Sequence, residues 1–204
     1  MKDLKLVTFK QFITEAPYLY NSRLELEKLS SLSKKSIEAR FSYLGKVKNQ
    51  SFDVYENNDN GSILAGVMVD DEFYPIISIT NDERSLYVKS MQLADKRKHV
   101  RMVRTNQKFE SQRVALDTYE FIAQEFNLVS DRIQYLGAKA LWQSLARQGR
   151  VNVYVFDEDK KDYIRLDNEK PVKYNGKNIT DELIWGKKEE HQNKLLVASV
   201  REFK

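Results

Sequence analysis

Between residues 111 and 156 the apolar positions change period element by element. Val114, Thr118, Phe121 and Ile122 fall on one face at helical spacing, which predicts a helix over 111–127 with Ser111 as a candidate N-cap. Leu128–Ser130 reads as a short apolar strand. Helical spacing returns over 137–147, where Ala138, Leu141, Trp142 and Leu145 form the buried stripe and Gly149 stands at the C-cap position. Val151–Phe156 then alternates as a strand.

Upstream, apolar positions from Leu24 to about Lys46 follow a helical period with a break near Ser30–Ser33. The period then shortens. Strands are predicted over 51–55, 63–69 and 74–79, separated by an Asn57–Gly61 turn cluster and an acidic turn at Asp70–Glu72. Leu86–Leu93 and Val100–Thr105 read as a hairpin around Asp95–His99. The stretch 157–185 is polar and loop-rich, and Lys194–Val200 supplies a last strand. The order predicts an α/β (α+β) class, with a mixed, mostly antiparallel sheet flanked by helices. Residues 1–15 form a separate amphipathic element with Leu6, Phe9 and Ile13 on one side, ended by Pro17; 16–204 reads as a single domain.

Composition narrows the chemistry. The 204 residues suffice for one well-cored domain, and no apolar run approaches the length of a membrane helix. Zero Cys excludes disulfides and thiolate metal sites, and two His (His99 and His191) argue against a His-based metal centre or triad. No metal and no membrane are expected. The net charge of +4 is unevenly placed: between Leu86 and Arg113 eight basic residues oppose two acidic ones, a net +6. Lys96, Arg97, Lys98, Arg101 and Arg104 are its centre, a patch suited to nucleic acid, a phosphorylated cofactor or an acidic protein, or else a solvated face that keeps strand edges soluble.

VALDTYEFIAQEFNLVSD followed by GAKALWQSLARQGRVNVYVFD, within this order of elements, resembles the GNAT acyltransferase superfamily, and in particular GNAT-related domains of tailed phages. The likeness in element order covers roughly 24–204; its residue-level support lies in 105–156. The resemblance implies acetyl-CoA as cofactor, held by the loop Arg/Gln-x-x-Gly-x-Gly/Ala and the helix start behind it, where backbone N–H groups and the helix dipole favour a pyrophosphate. Here that region offers Gln107, Lys108, Ser111, Gln112, Arg113, Val114 and Ala115. With Ala115 on the last motif position, Arg113 stands where glycine is expected and Glu110 where Arg or Gln is expected. The family's thiolate-protonating Tyr falls on Trp142, whose indole is no useful acid; it reads as a core anchor. Tyr135 and Asp131 are the remaining catalytic candidates, with a turn residue and a cap as their plainer readings.

VTFKQFITEA is similar to the capsid-targeting leader of internal head proteins in T-even-type phages. That likeness implies cleavage after the Ile13-Thr14-Glu15 site, leaving Ala16 first, with the protein inside the virion and then in the host cytoplasm. The alternative is a helix docked on the domain. Three functions follow as expectations: a phage acyltransferase acting on a protein or small amine; a non-catalytic protein that binds nucleic acid or an acidic host factor, such as a defence enzyme, through the basic face 89–113; and a structural internal head protein. The last is set back by a charge of only +4.

Overall fold

The computed structural model describes residues 31–47, 50–81, 97–105, 113–131, 136–165, 170–185 and 193–203. The chain enters as a two-residue strand β1 (Leu32–Ser33) and turns into helix α1 (Lys34–Arg40). Ser33 caps that helix by accepting the Ser36 N–H at 3.3 Å. The helix expected to reach Lys46 stops here, because Phe41–Val47 is strand β2. Phe41 and Tyr43 suit a pleated surface, and pairing with the next strand, β3 (Phe52–Asn57), outweighs the helical spacing of Leu44.

Strands β4 (Ile63–Val69) and β5 (Glu72–Asn81) continue the meander, longer than 74–79 suggested. Their two-residue loop, Asp70–Asp71, has φ of 47° and 62°, the left-handed pair that a tight hairpin needs. A bulge at Ala65/Gly66 faces Pro75, a residue with no N–H to give the ladder. At Gly66 a Cβ would lie 2.2 Å from the Tyr74 carbonyl oxygen, so only glycine lets the strands approach this closely.

Strand β6 (Arg97–Thr105) overturns the turn expected at 95–99, since residues 97–99 are already extended. Local charge imitated a turn there; the actual partner is distant. Arg97–His99 pair in parallel with strand β7 (Asn127–Val129), and parallel pairing requires the intervening crossover helix. That helix is α2 (Val114–Glu125); after β7 come α3 (Leu136–Gln148) and strand β8 (Asn152–Asp157). Gly149, at φ 66°, ends α3 in the left-handed conformation its C-cap position requires. The stretch expected to be loop-rich carries strand β9 (Asp162–Tyr163) and helix α4 (Asp181–Trp185), and it buries Tyr174, Ile179 and Ile184. Strand β10 (Lys194–Ser199) closes the series.

The sheet runs β2-β3-β4-β5-β6-β7-β10-β8-β9, with β1 added beside β5. All its pairs among the described residues are antiparallel except β6–β7. The class is therefore mixed α/β, mostly antiparallel and flanked by helices. The main core lies between the sheet and helices α2 and α3, where Trp142 meets Tyr119 edge-on at 5.6 Å between ring centres. Trp142 is buried, as expected of a core anchor. The β8–β10 half is apolar on both faces: Val129, Phe156, Leu195 and Val197 form a second, smaller core under Tyr163 and Phe203.

Candidate functional site

The two halves of the sheet meet at β6. Its first three residues pair with β7, whereas Val100–Thr105 pair with Asn81–Ile77 of β5. On its other edge β7 is paired with β10, and Ser130 continues that pairing: it donates its N–H to Leu196 O at 2.8 Å and accepts the Leu196 N–H on Oγ at 2.9 Å. The parallel pairing of β6 with β7 ends after three residues. At the carboxyl ends of parallel strands, where side-by-side elements diverge, α/β sheets commonly take up ligands. Asp131 is half-buried at that end of β7.

Helix α2 begins on the same side. Arg113 is its N-cap with φ 59° and ψ 12°, and its own side chain makes no capping hydrogen bond. This corrects the expected cap at Ser111, which lies outside the described residues. The first helical bond runs from Asp117 N–H to Arg113 O at 2.9 Å, which leaves the N–H groups of the first turn, at Val114, Ala115 and Leu116, without acceptors inside the helix. The left-handed backbone at Arg113 is the conformation glycine adopts at no steric cost and other residues adopt at about 1–2 kcal/mol. Arg113 is thus a non-glycine residue in a glycine-type conformation.

The electrostatics are mixed. The Arg113 guanidinium is about half exposed, and its Nη2 stands 3.8 Å from Oδ1 of the buried Asp117. Gln50, in the β2–β3 turn, donates Nε2–H to the other carboxylate oxygen, Oδ2, at 2.8 Å. Among the described residues Oδ1 accepts no hydrogen bond. A carboxylate in the first turn is favoured by the helix dipole, but it competes with any anion for the same field and the same arginine. An incoming phosphate would find Arg113 shared. Further along α2, buried Glu120 binds Arg150 Nη1 at 2.9 Å. Val114 is buried and Ala115 half-buried, so their contribution to a ligand is the backbone N–H.

Of the expected cofactor residues, Arg113, Val114 and Ala115 are thus brought to the helix start; Gln107, Lys108, Ser111 and Gln112, with Glu110, lie outside the described residues. So do Tyr135, Lys96 and the processing residues Ile13, Glu15 and Ala16. Arg97, Lys98, Arg101 and Arg104 are positions of one strand, β6. Burial pushes the Tyr119 phenol far above its ordinary range, which makes it a packing residue and no acid. Gln50 and Asp117 carried no sequence signal, being 67 residues apart in the chain. Among the described residues no three Asp, Glu or His side chains gather as a metal set, and no helix is long and apolar enough to cross a membrane. No family model, curated protein or solved structure matches the chain.

Proposed function

We propose that the chain is a GNAT-like acyl-CoA-binding protein whose pyrophosphate site is the start of α2. One observation carries this reading: the parallel β6–β7 pairing ends after three residues, and the next described element, α2, starts on the left-handed Arg113, whose side chain makes no capping bond. A cofactor's pantetheine arm would lie where the strands part, with its pyrophosphate against the N–H groups of Val114–Leu116 and the Arg113 guanidinium. A strand N–H turned toward the thioester carbonyl would hold the developing oxyanion, and an acceptor amine would attack it directly. In this reading Asp131, at the carboxyl end of β7, would take the amine's proton. Trp142 takes no part, being buried against Tyr119.

Acetyl-CoA titration followed by thermal unfolding tests the reading. At a hundredfold excess over Kd the ligand adds about 2.7 kcal/mol. For a domain of this size that raises Tm by roughly 5–10 °C. Arg113→Ala should reduce the shift. No shift at millimolar acetyl-CoA would refute the reading.

A second reading, a non-catalytic binder of nucleic acid or an acidic partner protein, is favoured by the buried carboxylate of Asp117 beside Arg113 and by the basic residues on β6. Its signature would be nucleic-acid affinity that falls steeply with salt. It should fall again when Lys96, Arg97, Lys98 and Arg101 are changed to Ala. Under either reading, the leader-like residues 1–15 support delivery with the phage head.

A further inference from the structure

Two Asn-Gly pairs occur in the chain, Asn60–Gly61 and Asn175–Gly176, and the fold holds them differently. Asn60 lies in the β3–β4 turn. Its Oδ1 accepts one backbone N–H, from Ser62 at 2.9 Å, and the Gly61 N–H is itself donated to Asn57 O at 2.9 Å. Asn175 is exposed in the loop before α4. Its Oδ1 accepts two backbone N–H groups, from Lys177 and Asn178, both at 2.9 Å. Asn178 fixes the arrangement from the other side: its Oδ1 accepts the Asn175 N–H at 3.0 Å and its Nδ2 donates to Lys173 O at 2.9 Å. Among the described residues the Gly176 N–H has no acceptor.

We propose that Asn175 is a self-modifying site, converting to aspartate and isoaspartate through a cyclic imide. The Gly176 nitrogen gives its proton to hydroxide and attacks Cγ of Asn175. The two N–H groups already on Oδ1 hold the oxyanion that forms. The new N–Cγ bond stays; the Cγ–Nδ2 bond breaks, and Nδ2 takes a proton and leaves as ammonia. Water then opens the ring at either carbonyl. Gly176 has no side chain to crowd the ring, and its nitrogen is not committed to a turn, unlike that of Gly61.

The site adjoins α3. At Gly176 a Cβ would lie 2.9 Å from Arg147 Cγ and 3.2 Å from Gln143 O, so the loop backbone rests against that helix. Isoaspartate lengthens the backbone there and undoes the Asn175–Asn178 lock. Either product adds a carboxylate beside Lys173 and Lys177.

The test ages the folded protein at mildly alkaline pH and scores acid formation at positions 175 and 60 by peptide mapping, with Asn175→Asp as the charge standard. A parallel sample is aged in guanidinium chloride. In the folded protein Asn175 should convert roughly fivefold faster than Asn60, the rate equivalent of the one hydrogen bond that Gly61 must first break. The two should converge once unfolded. Asn60 reacting as fast in the folded state, no conversion at Asn175, or a ratio unchanged by denaturant would each overturn the proposal.

Discussion

Asp157 and Lys194 are register partners across β8 and β10, with side chains each only 7% exposed and Nζ 3.1 Å from Oδ2. Asp157 also caps its turn, accepting the N–H groups of Asp159 and Lys160 on Oδ1 at 3.1 and 3.3 Å. At 3.1 Å and an effective dielectric near 20, the Coulomb attraction is about 5 kcal/mol. Desolvating both ions offsets much of that, so the pair as a whole adds little to stability. Removing one partner is different, because the other charge stays buried. Lys194→Met leaves the buried carboxylate without this ammonium and should cost about 3–5 kcal/mol, a large part of the total stability of a domain; Asp157→Asn should also destabilise. The double variant Asp157→Asn/Lys194→Met strands no charge and should be clearly less destabilised than the sum of the singles. Urea unfolding, read by far-UV circular dichroism with the slope m held constant across variants, gives all four values. Single losses below about 1 kcal/mol, or simple additivity, would show the pair to be solvated and its burial to be misassigned.

Three further outcomes follow. Gly66→Ala should destabilise by about 1–3 kcal/mol or more, because its Cβ meets backbone that no rotamer change can move, whereas Gly137→Ala, with nothing within 4 Å, should gain about 0.4–1 kcal/mol in the same assay. Glu202, bound to Lys173 at 2.6 Å, has its carboxyl held below the ordinary range by that ammonium. The contribution of the pair is therefore present above the carboxyl's unfolded pKa and lost as pH falls through the folded one; an NMR titration should show the depressed value, and Lys173→Met should restore the ordinary one. If the leader reading holds, the protein recovered from phage particles starts at Ala16, and an intact Met1 there would refute it.

Much of the scaffold is legible in residue spacing alone. Val114, Phe121 and Ile122 announce α2, the helical stripe through Trp142 announces α3, and Asn60–Gly61 and Asp70–Asp71 mark hairpin turns. What escaped depends on partners far along the chain. Phe41–Val47 keeps a helical spacing, and only the presence of β3 makes it a strand. Residues 97–99 look like a charged turn until Asn127–Val129 arrive beside them. The candidate site is legible in the sequence only as the segment that enters α2. Arg113 could be placed at a glycine-type position by alignment of pattern, but its left-handed backbone and the Gln50–Asp117 bond are properties of the assembled fold.

The sharing of β6 between the two halves of the sheet also orders assembly. Strands β2 to β5 join through short connections and can zip locally, at small loop-closure cost. The β6–β7 register is a long-range contact that needs α2 laid across the sheet first, and such contacts form slowly. The meander is therefore expected to form first and the β7–β10–β8 half to condense onto it afterward, so the last seam to close is the one between β6 and β7.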